Sequence, residues 1–419
     1  MSIEITRLKN GLRVVSETVP HVETASLGVW VDAGTRYETK ALHGVSHLLE
    51  HMVFKGTKRR TAAEIAEDIE NVGGHLNAFT SREHTTYYAK VMKDDLPLAA
   101  DLLGDLLLNP TFAPEELKRE QEVILQEIGQ VQDTPDDLVF DQLQEKAFPG
   151  QPLGQSILGT ARSIPSFTSE TLKSYMAKHY AAPDMVLVGV GKLAHQAVVA
   201  LAEEHFAGLA SKDGEAFSQG RYGGGESRDP RALEQLHLAL ALESCSYFDP
   251  DYYAVQVYAT ILGGGMSSRL FQEIREKRGY AYSVYAFNAS LADTGLLSVY
   301  AGTGPEFARE LLPIAAREMK SLTGKIPPDE IARAKAQLKS GLYMSLESTS
   351  SRMEQIGRQM LIFGKPIPVA ELVAKVEAVD EAAVNRVAAR LLASPLAFAG
   401  IGAVDLLPDF EAIAGLFRA

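Results

Sequence analysis

The sequence predicts an α+β protein built from two homologous domains, and three observations carry that reading. A chain of 419 residues exceeds what one hydrophobic core ordinarily serves, so two domains of about 200 residues are expected. Strand-like stretches rich in β-branched and aromatic residues are interspersed with longer stretches of helical periodicity. A segment of the first half also returns in the second. Phe112-Ala113-Pro114-Glu115-Glu116-Leu117-Lys118-Arg119 is mirrored 214 residues later by Ile326-Pro327-Pro328-Asp329-Glu330-Ile331-Ala332-Arg333.

Residues 3–19 read as a hairpin, because Asn10-Gly11 suits the positive backbone angles of a tight turn. A third strand, Ala25 to Val31, carries the single tryptophan, Trp30. The segment 42–54 has apolar residues at 42, 45, 48, 49, 52 and 53, a helical pattern. Thr61, with Glu64 three positions on, forms a capping box for a helix that Gly73-Gly74 ends near Val72. His75 to Val91 is strand-like, followed by helices at roughly 94–108 and 115–131. Helical segments continue to about 207, broken by a loop at 149–159 and the strand Met185 to Val190. Glycine, serine and charge without periodicity over 211–231 mark a linker. The expected division is 1–212, a linker over 213–233, and 234–419. In the second half a strand Leu236 to Leu242, a helix 250–262, strands around 281–301 and a helix 305–321 repeat the earlier order.

Hydrophobic content of 46% and charged content of 23% are those of a globular protein. The one cysteine, Cys245, allows no intramolecular disulfide framework and fits a reducing compartment. No signal sequence opens the chain and no apolar run could span a bilayer, so a cytoplasmic location without membrane contact is expected. A net charge of −13 argues against nucleic acid and mildly favours basic ligands.

The chemistry centres on His47-Leu48-Leu49-Glu50-His51. Residues four apart lie one turn above each other on a helix, so His47 and His51 present two imidazoles on one face, with Glu50 beside them. Two imidazole nitrogens suit zinc, and a carboxylate next to a divalent ion can take the proton of a water that the ion has acidified. This is the inverted zinc-protease pattern, H-x-x-E-H. The pattern alone also fits two histidines that happen to fall four apart on an amphipathic helix.

A catalytic zinc needs a third protein ligand and an open position. Glu120 and Glu127 lie two turns apart on one face of a helix, flanking an apolar stripe at 117, 124, 125 and 128. Without the histidines they would read as surface acids. The chain resembles the pitrilysin and insulysin type of zinc metallopeptidase, in its mitochondrial-processing-peptidase-like branch. The resemblance rests on Leu8-Lys9-Asn10-Gly11-Leu12, the stretch Gly44 to Thr57, Asn77-Ala78-Phe79-Thr80, and Arg119-Glu120 to Glu127. It implies two domains of mostly antiparallel sheet packed with helices, forming one half of a clam shell. It also implies one zinc per chain, held by His47, His51 and Glu127, the last 76 residues after the second histidine. Glu50 is then the base, Glu120 a carboxylate orienting a zinc-bound imidazole, and Asn77 and Ala78 part of an edge strand onto which a peptide adds. On the residues alone, that strand could equally be a plain sheet member.

The segment Phe271 to Val284 is similar to the family's arginine-tyrosine segment, with Arg275 and Tyr282 at the matching positions. The resemblance implies that Tyr282 faces a developing oxyanion and Arg275 a substrate carbonyl. From the residues alone Arg275 is a solvated helix charge and Tyr282 a packed strand residue. At the repeat offset the second half has Ala334 and Gly341 in place of Glu120 and Glu127, so it lacks metal ligands of its own. The expected function is a zinc endopeptidase acting on peptides or short unfolded segments. It would work as a homodimer in which a second copy supplies Arg275 and Tyr282. The alternatives are a heterodimer with a homologous chain, and a non-catalytic or partner-dependent subunit of a larger complex.

Overall fold

A computed structural model describes residues 3–212 and 217–418. It divides into two compact units, each assembled from three stretches of chain. The first comprises Met1–Gly129, Gln155–Ser218 and Met344–Ile367, the second Gln130–Gly154, Gln219–Tyr343 and Pro368–Ala419. Neither is one contiguous stretch, unlike the 1–212 and 234–419 expected from sequence.

The first unit is built on six strands: β1 (Ile3–Arg7), β2 (Arg13–Thr18), β3 (Thr24–Val31), β4 (His75–Thr80), β5 (Thr85–Met92) and β6 (Met185–Gly191). They lie in the order β1-β2-β6-β3-β5-β4, antiparallel except for β2 beside β6. Gly11, at φ 100, closes the β1–β2 hairpin. The stretch His75 to Val91 is two strands and not one, because Ser81 forms a turn whose Oγ accepts from the Glu83 and His84 backbone N–H groups.

Around this sheet run α1 (Val45–Val53), α2 (Ala62–Asn71), α3 (Leu96–Leu108), α4 (Pro114–Gln132), α6 (Ser169–His179), α7 (His195–His205) and α11 (Thr349–Phe363). β3 is covered on both faces, so it reads as a continuous apolar run. Leu27, Val29 and Val31 join Leu48, Leu49, Met52 and the α3 leucines in one core. Trp30 points the other way and joins Val15, Val188, Met353, Ile356 and Met360 in a second. Gly357 permits this contact, since a Cβ there would stand 2.3 Å from the Trp30 indole. Arg352, also on α11, is ion-paired with buried Glu17 of β2 at 2.5 Å.

The second unit has β7 (Gly225–Pro230), β8 (Leu236–Glu243), β9 (Ala281–Ser290), β10 (Gly295–Thr303) and β11 (Ala397–Gly402), in the order β7-β11-β8-β10-β9. β7 runs parallel to β11 and the remaining pairs are antiparallel. Its helices are α5 (Pro135–Ala147), α8 (Tyr252–Gly263), α9 (Ala308–Ser321), α10 (Pro328–Ser345), α12 (Val369–Glu377), α13 (Glu381–Leu392) and α14 (Phe410–Phe417). The sheet reproduces the first with β7, β11, β8, β10 and β9 in the places of β2, β6, β3, β5 and β4. Part of the expected linker is therefore strand β7, while its residues 213–216 lie outside the described ones. At the 214-residue offset α11 corresponds to α5, and the two are exchanged between the halves. α11 covers β3 and β6, and α5 covers β8 and β11.

Candidate metal centre

α1 begins without a side-chain cap of its own. Its N-cap is Gly44 at φ 93, a left-handed position packed so closely that a Cβ would stand 2.6 Å from the Gly159 Cα. The orphan N–H groups of the first turn are instead met by Glu38, whose two oxygens accept from the Gly44 and Ser46 backbone at 2.8 Å each. Burial pushes the Glu38 carboxyl up to about 7, against the pull of those bonds. Ser46 Oγ lies 2.8 Å from the Tyr175 hydroxyl on α6. With Leu48, Leu49, Met52 and Val53 buried, α1 is fixed in rotation and presents His47, Glu50 and His51 on its other side.

α4 brings its carboxylates to the same place. Glu127 lies 3.8 Å from His47 Nε2 and 3.7 Å from His51 Nε2. Neither separation is a hydrogen bond. One ligand atom from each of the three residues lies within 4.8 Å of the others, and a tetrahedral ion with bonds of about 2.1 Å spaces its donors about 3.4 Å apart. The imidazole centroids are 4.6 Å apart. Among the described residues this is the one cluster of three or more such side chains able to hold a metal ion.

The donors fit a divalent cation. Glu127 Oε2 is buried without a hydrogen-bond partner, which is costly for a polar atom unless a ligand meets it. Burial, and then the neighbouring His51, lower the His47 pKa to about 3, so it stands neutral with a lone pair to donate. His51 Nδ1 is 3.1 Å from Glu120 Oε2. Nδ1 is thereby placed to donate to the Glu120 carboxylate, with Nε2 turned toward Glu127. Glu120 is itself held by Lys55 Nζ at 2.8 Å, a charge partner for a side chain only 7% exposed.

Glu50 does not join this trio. Its Oε2 accepts from Thr80 Oγ1 at 2.5 Å, and burial raises its pKa above the usual carboxylate value. Thr80 closes β4, an edge strand that also carries Asn77 and Ala78. The Ala78 N–H is met by the Asn77 side-chain oxygen at 2.8 Å.

Arg275 and Tyr282 come together in the second unit. Arg275 sits on a π-helical turn, Phe271–Glu276, and its guanidinium lies 4.7 Å from the centroids of both the Phe271 and Tyr282 rings. Tyr282, on edge strand β9, is 75% exposed, so it is not the packed residue that its strand pattern alone allowed. Lys55, Thr80 and Glu38 escaped the sequence reading. Lys55 follows His51 by one helical turn, which was a usable signal; Thr80 stood in a stretch that carried the resemblance but without a role of its own, and Glu38 showed only as a loop acid.

Two family models match the chain in succession. The model described as insulinase (peptidase family M16) matches residues 13–161, and that described as peptidase M16 inactive domain matches residues 166–338. An uncharacterized zinc protease of Rickettsia felis is 39% identical over 97% of this chain and 98% of its own. The mitochondrial-processing peptidase subunit beta of Mus musculus is 38% identical over 99% of this chain and 87% of its own. A crystal structure titled as a peptidase M16 inactive domain from Pseudomonas fluorescens superposes with a TM-score of 0.88 at 23% identity, over 96% of this chain and 98% of that one. That structure shares the fold. With nearly full-length relatives at this identity and both family models matched in succession, the chain belongs to peptidase family M16, the insulinase family.

Proposed function

We propose that this chain is a zinc-dependent endopeptidase that hydrolyses peptides or short unfolded segments. The observation that carries the proposal is the convergence of His47, His51 and Glu127 from two helices, with Glu50 beside them and outside the donor set. A zinc ion held there supplies Lewis acidity toward a peptide carbonyl and brings the pKa of a water towards neutrality. Glu50 accepts a proton from that attacking water and returns it to the leaving amine. Its raised pKa suits a group that must both take and give a proton near neutral pH. Glu120 keeps the His51 ring in one tautomer and orientation.

An extended peptide is held by pairing with the free side of β4. Ser81 N–H bonds inward to the His84 carbonyl, so by antiparallel alternation the groups of Leu76, Ala78 and Thr80 point outward. Asn77 releases the Ala78 N–H when a peptide strand takes its place. In this reading Tyr282 and Arg275 engage the reacting carbonyl from a second copy of the chain, making the active species a homodimer. The relatives named as subunits of a processing peptidase favour a second form, in which a separately encoded homologous chain is the partner. Gel filtration of the pure protein with metal analysis and digestion of a peptide library tests both. A zinc-loaded protein that cleaves alone supports the first form. Zinc without cleavage, relieved by a partner chain, supports the second, and absence of zinc binding overturns the proposal.

A further inference from the structure

Glu50 is a short flexible acid whose usefulness as a base depends on which oxygen faces the reacting water. Its oxygens are not equivalent. Oε2 is taken by the Thr80 hydroxyl at 2.5 Å, while Oε1 stands apart from that anchor. Thr80 itself is held on both sides of the chain, by its register with Thr85 on β5 and by the turn in which Ser81 pairs back to His84. The anchor is therefore a backbone-fixed hydroxyl and not a mobile side chain.

We infer that Thr80 is a positioning residue for the base: it pins Glu50 Oε2 to the last residue of β4 and leaves Oε1 as the oxygen that receives the proton. This inference rests on the peptidase reading and adds a physical link to it. Because Thr80 is the last residue of the edge strand and its hydroxyl holds Glu50, the carboxylate lies at the end of the edge on which a peptide pairs. Pairing then stops at Ala78, and the peptide bond beyond that point lies beside the base. The strand that binds the peptide and the carboxylate that acts on it are one rigid piece.

The test compares Thr80→Val and Thr80→Ser in the zinc-loaded protein, reading kcat and KM separately on a peptide that the unaltered chain cleaves, together with zinc content. The expected result is a loss of about tenfold or more in kcat for Thr80→Val with KM and zinc little changed. Thr80→Ser, which keeps the hydroxyl, should retain kcat within about threefold of the original. A Val variant with unaltered kcat, or a Ser variant as impaired as Val, overturns the inference. A second measurement needs no activity: thermal unfolding of the metal-free protein in a double-mutant cycle with Glu50→Ala. Thr80→Val should lower the midpoint when Glu50 is present and much less when it is absent; equal shifts in both backgrounds overturn the inference. Should the zinc-loaded chain cleave no peptide either alone or with a homologous partner chain, the peptidase reading fails while this cycle still decides the Thr80–Glu50 link.

Discussion

Glu50 and Glu120 are both carboxylates beside the same pair of imidazoles, and their neighbours hold them differently. Glu120 has Lys55 as its charge partner and His51 as its hydrogen-bond donor, so it is bound on both oxygens. Glu50 has one oxygen committed and burial acting against its charge. Glu50→Gln is expected to cut turnover by about 10²- to 10⁴-fold while zinc stays bound, measured by peptide hydrolysis beside elemental analysis. Lys55→Met removes the counter-charge from Glu120 and should weaken zinc binding by about tenfold in a chelator competition, whereas Lys55→Arg should not. On the turn after β4, His84 is half-buried with an unpartnered Nε2, and desolvation, then the Arg358 charge, depresses its pKa to about 4. The unfolded histidine titrates near 6.5, so between those values the unfolded chain binds more protons than the folded one. Stability is complete above about pH 6.5 and is lost as pH falls towards 4. Replacing His84 by Phe should flatten that acid limb in thermal unfolding scans.

Elements differ in how plainly they can be read from the sequence. α1 declared itself because its signal is local: a stripe of buried apolar residues on one side fixes the imidazoles on the other. α4 was legible as a helix, but its part in the centre needed the 76-residue spacing of the family, since nothing local distinguishes Glu127 from its neighbouring glutamates. The exchange of α5 and α11 could not be read at all, because helical periodicity says that a face is buried and not which sheet buries it. Gly357 marks the contact in hindsight. A glycine inside a helix costs about 1 kcal/mol relative to alanine, yet here it admits the Trp30 ring. Gly357→Ala should therefore destabilise the first unit by about 1–3 kcal/mol through overpacking, against the gain that propensity alone would give. Equilibrium denaturation of the full chain, followed by Trp30 fluorescence, checks the sign.

At the scale of the whole molecule, repetition explains much of the architecture. The same sheet order appears twice, but Ala334 and Gly341 leave the second copy without carboxylates at the metal-ligand offset. Its edge strand β9, the counterpart of β4, carries an exposed Tyr282 stacked on Arg275 instead. Mixing Glu50→Gln chains with Tyr282→Phe chains should restore part of the activity that each lacks, if a second copy completes the site. No restoration would assign both groups to one chain. The account depends most on His47, His51 and Glu127 binding one ion while Glu50 stays out of its shell. Zinc content per chain, measured in parallel on the unaltered protein, Glu50→Gln and Glu127→Gln, tests this most directly. About one zinc, about one zinc and almost none are the expected values; full zinc in Glu127→Gln, or its loss in Glu50→Gln, would contradict the assignment.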